Sequence, residues 1–375
     1  MRGGRRTAYD GAVIRLLARA LGVAALVLAA RGAAADGPHV LWDGPGAEVL
    51  TARDGRLVRS KLRAPWRIEV PGLPAIRLST AGPKPPGAEF PLPARVCVVS
   101  DLHGNRDGAV SLLTAHGVLG RDLRWSFGTG HLVVAGDVVD RGDGQTELLW
   151  LLRSIERQAQ EAGGRVHVLL GNHETMLMRG DERYLNAVLC SAWAGVEGGA
   201  RALFGPRSEV GRWLRTRPAM VRLGDVLFVH GGLSPALLER RLTLAALNRA
   251  VRDELDAPGK PFLLGTDGPF WYRGLVPGAD SRRPDASSED VDRALAAYGA
   301  RRIVVGHTTL PSVTPFHGGK VLAVDAGLKD GSPGEVLLLE KGRAFRGFAN
   351  GTREPLDEQV DEGKGGAASR ARPGT

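Results

Sequence analysis

Five short stretches of this 375-residue chain carry residues suited to chemistry. In order they are Ser-Asp-Leu-His-Gly-Asn (100–105), Gly-Asp-Val-Val-Asp-Arg-Gly (136–142), Gly-Asn-His-Glu (171–174), Val-His-Gly-Gly (229–232) and Val-Gly-His-Thr (305–308). Between them they supply Asp101, His103, Asp137, Asn172, His230 and His307. Carboxylate, amide oxygen and imidazole together suit borderline divalent metals such as Mn, Fe, Zn or Co. Asp137 ends an apolar run, where an unpaired carboxylate would cost several kcal/mol or more. Cation binding offsets that cost.

The elements that must position these residues are legible in the same stretches. Each motif follows an apolar run: 95–101, 131–137, 165–172, 225–232 and 301–307. Continuous apolar runs of this length read as buried strands. Residues 107–117 and 144–163 have helical periodicity, and strand-helix alternation implies an α/β sheet. In such sheets ligands bind at the carboxyl ends of strands, so the pattern gathers all six candidate ligands on one edge. Residues 174–218 and 233–256 read as mostly helical, a cap spanning roughly 175–300. Segments 313–327 and 335–348 read as hairpins, turning at Gly318-Gly319 and Lys341-Gly342.

The flanks carry other signals. Three arginines open the chain, an apolar run covers 20–30, and Ala33-Ala34-Ala35 precedes Asp36. That order predicts a secretory signal peptide over 1–35 and an exported, periplasmic or secreted protein, with no stable membrane span once the leader is cleaved. Residues 36–93 read as a Gly/Pro-rich extension, 94–350 as the catalytic domain and 351–375 as a disordered tail. Setting aside residues 1–35 removes six arginines and Asp10, leaving 44 basic and 40 acidic residues, a net of +4. No Lys/Arg block remains, which argues against a nucleic-acid partner. Cys97 and Cys190 are the two cysteines. Export permits a disulfide, and two free thiols fit the sequence equally well.

Any one motif occurs by chance, but the ordered set resembles the calcineurin-like metallophosphoesterases. Within them it is most similar to the Shewanella-like protein phosphatases of the phosphoprotein phosphatase branch, which also carry a later Trp-Tyr-Arg-Gly, here 271–274. The resemblance covers residue 95 to about 327. It implies a β-sandwich core flanked by helices with a helical cap insertion, an α/β fold. It implies two divalent metal ions (Mn, Fe or Zn), one held by Asp101, His103 and Asp137, the other by Asp137, Asn172, His230 and His307. It implies in-line attack by a metal-bridging hydroxide, His173 as general acid oriented by Asp140, and Arg141 and Arg273 clamping the phosphate. The implied substrate is a phosphorylated protein or peptide. A small phosphoester such as a dinucleoside tetraphosphate, or a phosphodiester, is the alternative. The chain departs from the eukaryotic serine/threonine branch, with Val-Gly-His-Thr-Thr where that branch has Arg-Gly-His, so the resemblance carries no serine/threonine preference. His39, His116, His131, His167 and His317 match no motif. Glu174 reads as a helix cap, and Asp325 as structural.

Overall fold

The computed structural model describes residues 36–53, 56–282 and 284–357. The expected signal peptide and most of the expected tail lie outside them. Two six-stranded sheets form the core. The first runs Arg353–Pro355, Arg343–Phe348, Glu335–Glu340, Arg95–Val99, His131–Val134, Arg165–Val168. Its last three strands are parallel, joined by the helices Arg106–Ala115 and Gln145–Glu161. The second runs Thr314–Phe316, Val321–Ala323, Arg302–Val305, Val226–Val229, Met220–Leu223, Glu89–Phe90. Its inner pairs, Val226–Val229 with Arg302–Val305 and the latter with Val321–Ala323, are parallel.

Strand side chains alternate between two faces. Val96, Val98, Val133 and Ala135 of the first sheet meet Val221, Phe228, Val304 and Leu322 of the second in one buried layer. Cys97, Val99, Leu132 and Val134 point the other way, into the helices. Both faces are covered, which is why the runs are apolar throughout rather than alternating. Each Val, Leu or Phe among them contributes about 1.5–3 kcal/mol on burial. The chain is therefore the expected α/β protein, with a β-sandwich core flanked by helices.

Several regions differ from the sequence reading. The extension 36–93 is largely built into the fold. Asp36–Asp43, Gly46–Arg53 and Arg56–Leu62 form an antiparallel meander. It is fastened by tryptophan N–H donors: Trp150 to the Pro38 carbonyl at 2.9 Å, Trp193 to Asp36 at 2.6 Å and, from the meander itself, Trp42 to Glu209 at 2.6 Å. Glu89–Phe90 closes one edge of the second sheet. The span 175–300 carries six helices, but it also contains Met220–Leu223 and Val226–Val229, which belong to that sheet. The tail is not wholly irregular, since Arg353–Pro355 pairs with Arg343–Phe348. Both cysteines are free, Cys97 buried in its strand and Cys190 exposed on the helix Ala187–Trp193. Among the described residues no helix is long and apolar enough to cross a membrane.

Candidate metal centre and active site

Central strands from both sheets end at one edge of the sandwich. Asp101 follows Arg95–Val99, Asp137 follows His131–Val134, and Asn172 opens the helix Asn172–Met178 after Arg165–Val168. His230 directly follows Val226–Val229, and His307 follows Arg302–Val305. All five are buried, as are His103, Asp140 and His173.

The backbone that places them is strained. Asp101, His103, Asp137, Asp140, Arg141 and His307 all have positive φ, between 43° and 69°. Left-handed backbone costs a non-glycine residue on the order of 1 kcal/mol or more, and such residues cluster at functional sites. Close approach is purchased with glycine at two points. A Cβ on Gly171 would lie 2.1 Å from Asp137 Oδ1, and one on Gly306 would lie 2.0 Å from Ser100 Oγ. The motif glycines let the loops meet.

The imidazoles are oriented for ligation. His103 Nδ1 donates to the Val139 carbonyl at 3.0 Å, and His230 Nδ1 donates to the Ala135 carbonyl at 2.7 Å. A backbone bond at Nδ1 fixes the tautomer and leaves Nε2 as the ligating atom. Both Nε2 atoms face Asp137 Oδ2, at 3.7 Å and 3.2 Å. Asn172 Oδ1 lies 3.0 Å from His230 Nε2. The buried Nε2 of His307 has no partner among the described residues. Asp101 spends Oδ2 on the Ser100 hydroxyl at 2.5 Å and the His307 N–H at 2.9 Å, and its Oδ1 lies 3.8 Å from His103 Nε2. Ligating atoms of His103, Asp137 and His173 lie within 4.8 Å of one another, and so do those of Asp137, His230 and His307. Asp137 is shared by both groups. Buried oxygens and imidazole nitrogens converging on an unpartnered His307 Nε2 fit divalent cations.

The charge balance is that of a cation site. Burial pushes His103 down to about 3, against the pull of Asp137, so it stands neutral. His230 goes the other way. Burial opposes its charge, but Asp137 and Asp101 prevail and raise it to about 10. Burial likewise opposes ionisation of Asp137, yet the facing His230 and His173 hold its carboxyl well below the usual carboxylate range.

His173 sits beside this cluster. Its Nδ1 donates to Asp140 Oδ2 at 2.6 Å, while its Nε2 lies 3.8 Å from Asp137 Oδ2. Arg141 is exposed at the rim, and Arg273 reaches the His307 carbonyl at 3.2 Å. All ten residues singled out in the sequence are thus drawn to this edge. The five motif-free histidines are not in either cation group. Asp325 accepts from Thr309 Oγ1 at 2.6 Å and from the Gly327 N–H at 3.1 Å, a loop-holding role.

Two contributions exceed the sequence reading. Glu174 caps its helix, but its carboxylate also accepts N–H bonds from Asp137, Val138, Val139 and Gly171 at 2.7–3.2 Å. One buried carboxylate thereby ties the two loops that carry Asp137 and Asn172. Glu174→Gln places an amide NH2 among N–H donors. It is expected to cost about 3 kcal/mol, read as a Tm several degrees lower in calorimetry, with weaker cation binding. An unchanged Tm would remove Glu174 from this role. Tyr184 is the other. Its ring lies 5.0 Å from the His173 ring and under the Arg141 guanidinium at 5.1 Å, and its carbonyl accepts the Arg141 N–H. No sequence signal marks a tyrosine brought in by a tertiary turn.

Comparison with known proteins agrees with this geometry. The calcineurin-like phosphoesterase family matches residues 94–311. An uncharacterised protein of Schizosaccharomyces pombe is 30% identical over 269 residues, spanning 67% of this chain and 78% of the relative. Shewanella-like protein phosphatase 2 of Arabidopsis thaliana is 25% identical over 68% of this chain and 78% of its own length. The crystal structure of a cold-active protein-tyrosine phosphatase from a psychrophilic Shewanella species superimposes with a TM-score of 0.79. It is 34% identical, over 86% of this chain and 99% of the other. The shared carboxylate, the paired histidine and the candidate strand-end ligands all fall within the matched span, and this chain belongs to the calcineurin-like phosphoesterases, a family that implies divalent metal ions.

Proposed function

We propose that this metallophosphoesterase is an exported protein phosphatase that cleaves phosphotyrosyl monoesters. The observation that carries the chemistry is the 2.6 Å His173–Asp140 pair beside a cluster with no ligand position replaced. The choice of substrate draws on the likeness to the Shewanella tyrosine phosphatase. Export draws on the sequence of residues 1–35.

In this reading Asp101, His103 and Asp137 hold one cation, and Asp137, Asn172, His230 and His307 hold a second, with Mn, Fe or Zn as candidates. Divalent cations there supply charge neutralisation at the phosphoryl oxygens and acidify the attacking water. The side chains do the rest. Arg141 and Arg273 grip the phosphate, because a planar guanidinium donates two parallel bonds to a tetrahedral oxyanion. His173 gives its Nε2 proton to the leaving oxygen. Asp140 accepts from Nδ1, fixes the tautomer and stabilises the imidazolium beforehand.

Cation binding must displace the His230 proton, because its pKa of about 10 leaves it charged at neutral pH. Titrating Mn²⁺ at pH 7.5 in buffers of different ionisation enthalpy is expected to show release of about one proton per chain from this residue, and affinity falls as pH is lowered. A heat independent of buffer contradicts a charged His230.

The substrate is tested with a phosphotyrosyl peptide, a phosphoseryl peptide and a dinucleoside tetraphosphate under Mn²⁺. The phosphotyrosyl peptide is expected to turn over fastest. Turnover confined to the nucleotide would move the assignment to small molecules.

A further inference from the structure

The opposite end of the sandwich carries a second feature, independent of the catalytic reading. A cleft of about 380 Å³ opens where the second sheet's strands begin. Val226 lines it, and His230, at the far end of the same strand, belongs to the catalytic edge. Four residue steps along the strand separate the two by about 13 Å.

The lining is strongly cationic. Arg301, Arg302, Lys320, Lys341 and Arg343 line it with one acidic residue, Asp225, and Lys320 is also paired at 2.5 Å with Asp292, which lies outside the lining. Counting both aspartates, the five cations leave an excess of three positive charges. Five cations in one concavity repel one another and focus positive potential into it. The sources are unrelated in sequence. Arg301 precedes and Arg302 starts one strand, Lys320 ends the turn after Thr314–Phe316, and Lys341 and Arg343 flank Gly342.

The Lys341-Gly342 turn adds a separate observation. Glu340 pairs with Arg343, so this is a two-residue loop, with φ of 51° at Lys341 and 78° at Gly342. Such loops strongly favour Asn or Asp at the first position. Here a lysine occupies it at a conformational cost, and the residue chosen adds charge to the cleft.

We infer that this cleft is an anion-binding site for a small oligophosphate, distinct from the phosphate subsite at Arg141 and Arg273. The volume falls within the range of small-molecule sites. Paired guanidinium and ammonium groups on several sides suit an extended chain of phosphoryl oxygens better than a single tetrahedral anion.

The test titrates the full metal-loaded chain with imidotriphosphate, whose bridging N–H groups resist hydrolysis, by calorimetry. One site beyond the catalytic centre is expected, weakening as salt rises. The double variant Arg301→Ala/Lys341→Ala should lose affinity by about tenfold or more, from two lost charge-assisted contacts. It should keep wild-type turnover of p-nitrophenyl phosphate without the ligand. Lys341→Arg should keep binding, which separates a charge effect from damage to the turn. Arg141→Ala should leave this site intact. Three results would overturn the inference. One is binding lost in Arg141→Ala and kept in the double variant, which puts the anion at the catalytic centre. Another is hexaglutamate binding more tightly than imidotriphosphate, which makes the occupant an acidic peptide. The last is no saturable binding.

Discussion

Replacing His173 by Asn is expected to lower kcat by about 10²–10⁴-fold, the usual worth of a positioned general acid. Three observations set the size. The ring is buried, its Nδ1 is committed to Asp140 at 2.6 Å, and its Nε2 points toward the shared carboxylate, 3.8 Å away. Asn cannot deliver a proton, but it is close in shape, so the bound metal should be retained. The loss should also depend on the leaving group. A phenol as acidic as p-nitrophenol departs with little help, whereas a tyrosyl or seryl oxygen needs the proton. The ratio of variant to wild-type kcat, measured across a series of aryl phosphates, should therefore fall as the leaving-group pKa rises. A flat ratio would assign His173 to metal binding instead, a role its place beside His103 and Asp137 also permits. Asp140→Asn should follow the same trend with a smaller loss, since the proton donor remains but its tautomer is no longer fixed.

Asp137→Asn should be the most damaging single change, at least about 10³-fold in kcat/KM, because every electrostatic element of the site is organised around it. Its Oδ2 faces the Nε2 atoms of His103, His173 and His230 at 3.2–3.8 Å. Its Oδ1 accepts the His173 N–H at 3.0 Å, and its own N–H is held by Glu174. An amide keeps the shape and loses the charge. Bound metal, measured by elemental analysis after gel filtration, should fall to near zero, and excess Mn²⁺ should not restore activity. His230, deprived of the carboxylate that holds it charged, should also titrate lower, visible by NMR. A variant that keeps its metal would show that Asp137 is not the shared ligand.

The site was more legible in the sequence than the scaffold around it. Five apolar runs each end in a candidate ligand, and parallel strands of an α/β sheet deliver their carboxyl ends to one edge. The spacing of Asp101, Asp137, Asn172, His230 and His307 was therefore enough to gather them. What the residues could not announce is what depends on tertiary approach. Arg56–Leu62 is mostly exposed, so its sequence lacks the alternation that marks a half-buried strand, and nothing in the residues marks the meander. Arg353–Pro355 is an exposed edge strand, where Pro is tolerated and no apolar face is needed. Glu174 looked like a cap because its four N–H donors come from two loops, one of them 35–37 residues distant in sequence. Tyr184 reaches His173 through a turn with no periodicity of its own. The cationic cleft shows the same limit, since its charges come from separate turns.

The measurement that bears most directly on the central claim is a Mn²⁺ titration of the metal-stripped full chain, followed by turnover of phenyl phosphate, whose leaving group needs the proton, and by bound metal. Activity should be absent at the start, rise with metal and level off near two ions per chain, with His173→Asn binding the same amount and turning over far less. Full activity without metal, or a plateau at one ion, would contradict a binuclear centre built on Asp137.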